Sequence, residues 1–406
     1  MATKFIIRTA ALAATLLAAA SCIFPYEVDI KKASEWPLVV EGDILVGGVT
    51  TVKFSYVQPF DTDSYDDYQS TPPRVTGYIE GEDGSRVEGA GPWSSLDWSD
   101  GLLYFDTGSL REGQRYRLHF ETLDKFGDIT NTFESDWLEP CPAPTIDALS
   151  YSKNEGFDEL WIGLTMHCHG SHHFRWSFSE VWEYHSDLNT MLRYDPPTKT
   201  IGYYSAYDEP NLYYCWKSAN SSKINIFSTA NQTEDRFEEL AFHTIPLSDQ
   251  RLQVMYKITV QLQAMSEDAF NYWNNMQQNS EGQGSIFSPT PSEMASNVRC
   301  ISDPDLQVMG YVNAAVPVEA VMFYDNGENK FYKPGPARFR DEKKVNASYP
   351  DSLAYWYHHG YLPYDELYET MSPTPSHYMW ALNACIDCRR LGGTKTKPEG
   401  WPSGHN

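Results

Sequence analysis

Short alternating strands punctuated by turn residues constrain the first third of this chain to an antiparallel β architecture. Leu38-Val39-Val40-Glu41-Gly42-Asp43-Ile44-Leu45 reads as a strand, Gly47-Gly48 as a turn, and Thr50 to Val57 as a returning strand with alternating faces. Similar runs recur at Arg74 to Glu80, Leu102 to Asp106, Arg115 to Leu123 and Asn131 to Leu138, bounded by clusters such as Glu82-Asp83-Gly84. No helical period separates them, so residues 37–139 are expected to form one β-sandwich domain.

The Pro140-Cys141-Pro142-Ala143-Pro144 stretch cannot join a central strand and marks a boundary. Residues 140–406 are expected to form a second sandwich-like domain, with strands near 145–151, 159–168, 172–184, 224–229, 253–265 and 308–325. One helix is inserted near 266–279: Ser266 is its N-cap, Glu267 and Asp268 occupy the electropositive first turn, and Phe270, Trp273 and Met276 share a face. From Asn326 the chain is rich in Pro, Gly and aromatics and has little period, which predicts disulfide-stapled loops over the second sandwich. The expected fold class is therefore all-β in the main.

Residues 1–21 have the order of a lipoprotein leader: Lys4 and Arg8, an apolar run too short to span a bilayer, then small residues before Cys22. Cys22 is the expected lipidation site, followed by a polar tether over 22–36. The chain carries 31 Lys and Arg against 55 Asp and Glu, a net charge of −24, and loss of the leader makes it more acidic still. So acidic a surface repels phosphate backbones, which argues against nucleic acid as a partner. Attachment to the membrane then falls to the acyl chains, since there is no polybasic patch.

With Cys22 assigned to lipid, six cysteines remain, an even set suited to disulfides in an exported chain. A hairpin turning over Ser152 to Asp158, with Tyr151 opposite Asp158, would bring Cys141 opposite Cys168, and that bridge is expected. Cys385 and Cys388 form a C-x-x-C pair without a second one to complete a zinc site, and are read as a local disulfide. Cys215 and Cys300 are expected to make the third bridge.

After Cys22, Leu38-Val39-Val40-Glu41-Gly42 is followed in order by Phe174-Arg175-Trp176, Val181-Trp182-Glu183-Tyr184, Cys215-Trp216 and Tyr272-Trp273. Gly284-Ser285-Ile286-Phe287, Gly310-Tyr311-Val312, Cys385-Ile386-Asp387-Cys388-Arg389, Gly392-Gly393, Pro398 and Trp401 complete the series. This succession resembles a family of Bacteroidota lipoproteins classed as domain of unknown function 4249. The resemblance implies an outer-membrane lipoprotein of two sandwich-like parts, commonly encoded beside a TonB-dependent receptor. It implies no activity and no catalytic residues.

Alternation puts His167 and His169 on one face of a strand, a spacing suited to zinc or copper, although a solvated strand end is the plainer reading. Leu160, Ile162, Leu164, Met166 and Cys168 then face the core. Asp61, Asp63, Asp66 and Asp67 make an acidic loop that lacks the glycine and terminal glutamate of a helix-loop-helix calcium site. There is no nucleophile elbow, His-Glu-x-x-His helix or phosphate-cradling loop. Aromatics crowd the stretches Asp195 to Tyr214 and Tyr355 to Tyr368, where Tyr203, Tyr207, Tyr355 and Trp356 are candidate ligand-binding residues.

The expected role is a non-catalytic ligand-binding or accessory subunit of a TonB-dependent receptor, lipid-anchored at the outer membrane and without a cofactor. The alternatives are a secreted metal-dependent or carboxylate-based hydrolase, and a structural or adhesion subunit.

Overall fold

A computed structural model describes residues 37–57, 72–91, 101–154, 156–204, 212–281, 296–335 and 340–402. Cys22 with its leader and tether, the acidic loop at 61–67 and Tyr207 lie outside the described residues. Strands take up 51% of the structure and helices 12%, so the chain is mainly β.

The amino-terminal strands are β1 (Leu38–Leu45), β2 (Val49–Tyr56), β3 (Arg74–Gly81), β4 (Arg86–Ala90), β5 (Leu102–Asp106), β6 (Tyr116–Leu123) and β7 (Ile129–Ser135). Then come β8 (Thr145–Asn154), β9 (Glu159–His167), β10 (His173–His185), β11 (Leu192–Asp195), β12 (Thr200–Tyr203), β13 (Tyr214–Asn220), β14 (Asn225–Ser228), β15 (Arg236–Pro246) and β16 (Met255–Ala264). Helix α1 (Glu267–Glu281) precedes β17 (Val298–Cys300), β18 (Val308–Ala315) and β19 (Val318–Asp325). The remainder is α2 (Asn326–Asn329), β20 (Lys343–Asn346), α3 (Pro350–His358), β21 (Tyr361–Tyr368) and β22 (Pro375–Leu382).

The first sheet has nine strands in the order β17-β7-β6-β3-β4-β5-β2-β1-β18. It is nearly closed, and Val40, Ile44, Val52, Phe54, Phe105 and Phe120 fill its interior. Alternation explains the burial: β2 buries Val52 and Phe54 and exposes Thr51 and Lys53. Its outer two strands, however, come from beyond residue 295. β18 pairs with β1 in parallel, and Val298, Cys300, Val312 and Ala314 join the first core. The run 308–325, read as one strand of the second unit, is thus two strands in two different sheets. Local pattern marks such a run as extended but carries no information about which sheet it enters.

In the second unit β15-β9-β8 faces a sheet ordered β13-β10-β16-β19, with β14 also on β10. Leu160 and Ile162 of β9 pack there with Tyr256, Ile258 and Val260 of β16 and with Tyr324 of β19. The residues expected on the buried face of this strand, Leu160 through Cys168, are all buried. Helix α1 begins where its cap places it, with the Ser266 hydroxyl accepting from Ala269 N at 3.2 Å. Its Tyr272 stacks on Tyr311 at 5.3 Å, and Arg175 reaches from β10 to Asp43 of β1 at 2.8 Å, so side chains join the nearly closed first sheet, where a sandwich was expected, to the second unit.

The disulfide set differs from expectation. One bridge is formed among the described residues, Cys215 to Cys388, with Cα atoms 5.7 Å apart. Cys141, Cys168 and Cys300 carry free thiols, and Cys388 is bonded to Cys215 rather than to Cys385. The register behind Cys141–Cys168 fails because the hairpin turns more tightly than assumed. Asn154 pairs with Glu159, Tyr151 with Ile162, and a bulge follows between Ile146 and Ala148. Thr145 therefore faces His167, leaving Cys141 beyond the strand in the apolar cluster that also holds Cys168.

The C-terminal region is more regular than its composition suggests. β20-β22-β21 form a sheet beside α3 and the β11–β12 hairpin, with Trp380, Tyr194, Val345, Leu353 and Tyr361 as a small core. Pro363 and a register shift between Pro363 and Asp365 break the alternation of β21 and hide it from a periodicity reading.

Candidate ligand-binding cleft

Above that small core lies a cleft of about 470 Å³, within the range of small-ligand sites. Its walls come from both aromatic segments singled out in the sequence: Tyr204 and Leu212 from one, Tyr357 and Leu362 from the other. Tyr194 packs beneath, 4.7 Å from Tyr357 and 5.8 Å from Trp380. The β11–β12 hairpin fixes Arg193 and Tyr194 opposite Gly202 and Ile201, and Tyr204 N closes on Met191 O at 2.8 Å.

α3 ends in the cleft wall because Gly360, at φ +84°, takes the left-handed conformation that stops the helix and turns it into β21. The Gly360 carbonyl then accepts from Asn383 N at 2.8 Å, bringing the end of β22 alongside. Past β22, the turn Cys388–Leu391 is capped by Asp387, whose carboxylate accepts from Arg389 N at 3.0 Å. The same buried carboxylate grips the Arg389 guanidinium through Nε and Nη2, both at 2.8 Å, so Arg389 is held by a planar two-point pair. Arg390 follows and Arg193 stands on the hairpin, so among the described residues three guanidinium groups and one buried carboxylate line the opening. Burial and the charge of Arg389 pull nearby Lys395 down to about 8.

The individually named residues fall elsewhere. Tyr203 is 65% exposed and donates to both oxygens of Glu366, at 2.8 and 2.9 Å. Tyr355 stacks on His359 at 4.0 Å, while Trp356 packs against Tyr361 at 5.0 Å. The cleft instead takes Tyr204 and Tyr357, immediate neighbours of Tyr203 and Trp356. Sequence reasoning found the segments and missed the arginines, whose one visible signal was a pair of consecutive cations after Cys388 in a strongly acidic chain.

The His167 and His169 rings do lie side by side, with centroids 5.9 Å apart. Each is occupied: His167 sits 3.4 Å from Asp147 and 3.8 Å from Asp235, and His169 Nε2 lies 2.6 Å from the Thr145 hydroxyl. Among the described residues, no group of three or more His, Cys, Asp and Glu side chains is arranged to hold a metal ion.

A second cleft, about 640 Å³, borders Phe178, Glu180, Phe242 and His243. One oxygen of buried Glu180 accepts from Tyr256 OH at 2.7 Å and Arg251 Nη1 at 2.8 Å, with His243 Nε2 at 3.1 Å. Burial pushes this carboxyl up, but the hydrogen bonds from His243 and Tyr256 and the charge of Arg251 outweigh it and hold it below its ordinary value. A folded-state value lowered from 4.5 gives stability that is complete above about pH 4.5 and is lost as pH falls through the folded value. Glu180→Gln is expected to destabilise the fold by about 2 kcal/mol at neutral pH. The gap between the two urea midpoints should narrow on acidification to about pH 3, and a constant gap would contradict the assignment.

A profile of the domain of unknown function family DUF4249 matches residues 23–319. The chain belongs to this family. No curated protein matches it. Among solved structures, it is similar to a DUF4785 family protein from Legionella pneumophila at 11% identity and a TM-score of 0.19, covering 55% of this chain and 51% of that one. This DUF4249 member thus spans about half the length of that structure.

Proposed function

We propose that this DUF4249 protein is an outer-membrane lipoprotein, held by lipid on Cys22, that binds a ligand and serves a TonB-dependent receptor as a non-catalytic accessory subunit. The observation that carries the binding role is the cleft between α3, the β11–β12 hairpin and the Cys388–Leu391 turn. Its arginines come from separate elements fixed by a hairpin, a buried carboxylate and a disulfide, as recognition of a ligand by preset groups requires. The leader ending at Ser21 and the acidic surface support attachment by acyl chains alone.

Cys22→Ala is expected to yield an unlipidated product that leaves the membrane fraction and takes up no acyl label. Continued membrane fractionation with unchanged labelling would sink the anchor. Mild detergent extraction of the lipidated protein should bring a TonB-dependent receptor with it, and recovery without any such receptor would remove the accessory role.

A further inference from the structure

The second cleft lies on the flank of the second sandwich, between the outer strands of its two sheets. One wall is β15, and the other is the end of β13 with its connection to β14, while Phe178 and Glu180 of β10 form the floor. A register shift between Ala241 and His243 interrupts β15 at this wall. The bulge turns two consecutive side chains inward: Phe242 packs edge-on against Phe178, and His243 Nε2 reaches Glu180 at 3.1 Å. The opposite wall is fixed as well, since Ser221 N donates to Phe178 O at 2.8 Å and Phe178 N donates to the Ser221 hydroxyl at 3.0 Å. The contacts of His243, Arg251 and Tyr256 with Glu180 all fall on Oε1, and among the described residues no donor reaches Oε2. Buried carboxylate oxygens are costly to leave unpaired, so Oε2 selects what can fill the cleft. An oily ligand would seal it away from water without a donor. An anion would be repelled by it, and a cation would meet the Arg251 guanidinium on Glu180 and the Lys223 ammonium at the rim. A neutral hydroxyl can donate to Oε2 without either penalty. Asn220 and Ser222 add groups that both give and accept hydrogen bonds, and Phe178 with Phe242 adds apolar surface. That mixture suits a ring whose faces are apolar and whose edges carry hydroxyls, and about 640 Å³ is room for a short one.

We propose that this second cleft binds a short neutral sugar, a ring hydroxyl donating to Glu180 Oε2 and the ring face lying against Phe242. The site shares no lining residue with the arginine-bearing cleft and does not depend on the accessory role.

The test is isothermal titration of the lipidated protein in a detergent without a sugar headgroup. Cellobiose, maltose and mannobiose are the neutral probes, digalacturonate the anionic one and choline the cationic one. At least one neutral disaccharide is expected to bind about tenfold or more tightly than either charged probe, with an affinity that holds as salt rises from about 50 to about 300 mM. Phe242→Ala and Glu180→Gln should each lower that affinity about tenfold. Both side chains also pack or bond inside the sandwich, so a third variant separates binding from folding. Ser222→Trp, at an exposed position on the cleft wall, should block the site and abolish binding with the urea midpoint unchanged. Failure of all three neutral disaccharides, or a charged probe that binds as tightly as the best of them, would overturn the inference. So would sugar binding that survives Ser222→Trp, since the sugar would then sit elsewhere. Receptor co-purification is read separately and decides the accessory role whichever way the titrations fall.

Discussion

Replacing both Cys215 and Cys388 by serine is expected to lower stability by about 5 kcal/mol. The bridge spans 173 residues, and closing so long a loop in the unfolded chain removes entropy equivalent to about 5 kcal/mol in the chain-entropy description. Both half-cystines are buried beside Tyr184, whose hydroxyl donates to the Cys388 carbonyl at 2.6 Å. Gly393 fits against the same pair: a Cβ there would stand 2.7 Å from the Cys215 Cβ. Without the bridge, the turn bearing Arg389 and Arg390 keeps the Cys388 N to Leu212 O bond at 3.0 Å just before β13, and on β13 the Lys395 bond to the Tyr214 carbonyl and the Trp216–Thr394 pairing. The double variant should therefore lose ligand affinity as well as stability. Urea denaturation of the wild type, oxidised and fully reduced, and of the variant reads this directly, with Cys141→Ser, a thiol outside any bridge, as a control expected to shift by no more than about 1 kcal/mol. Coincident curves for oxidised and reduced wild type would show that the bridge does not carry the carboxyl-terminal segment.

Local signals made much of this architecture legible. The strand at Leu102–Asp106, the hairpin after Leu45 and the Ser266 cap all rest on neighbouring residues, and the structure has them where alternation and capping put them. What escaped was set by distant partners or by broken periodicity. β15 carries register shifts between Phe237 and Leu240 and between Ala241 and His243, so its faces swap twice and no alternation survives. The cysteine pairing failed at the turn instead: Tyr151 pairs with Ile162 rather than Asp158, an offset of four residues that the single bulge between Ile146 and Ala148 does not make up. Burial of Met166 and Cys168 was readable from alternation, but the actual partner of Cys388 lies on a strand 173 residues away and leaves no local trace. The cleft was half legible for the same reason. Its aromatic density shows in the sequence, whereas the convergence of Arg193 with Arg390 depends on the fold.

Gly310→Ala is expected to be the most damaging single methyl added to the chain, destabilising by more than about 5 kcal/mol or abolishing folding. Gly310 sits inside β18 directly opposite Val40, in the parallel pairing that brings residues 308–315 back to the first strand. Its φ of +102° is a conformation L side chains rarely adopt, which alone costs about 1–2 kcal/mol for alanine. A Cβ would also stand 2.8 Å from the Val40 carbonyl carbon and 2.9 Å from its amide nitrogen. Both atoms are main chain, so no side chain can swing aside, and relief requires β1 and β18 to separate. Separation breaks the ladder from Leu38–Val308 to Leu45–Ala315 and exposes Val40, Ile44, Val312 and Ala314, all buried in the first core. The damage would spread beyond that sheet, because β1 also carries Asp43, which binds Arg175 of the second sandwich. Gly48→Ala is the matched control: a Cβ there meets nothing within 4 Å, so the change should stay within about 0.5 kcal/mol. Comparable urea midpoints for the two variants would mean that β18 does not clasp β1 in the folded protein, and the completion of the first sheet by a segment that lies between β16 and β19 of the second sandwich would fall with it.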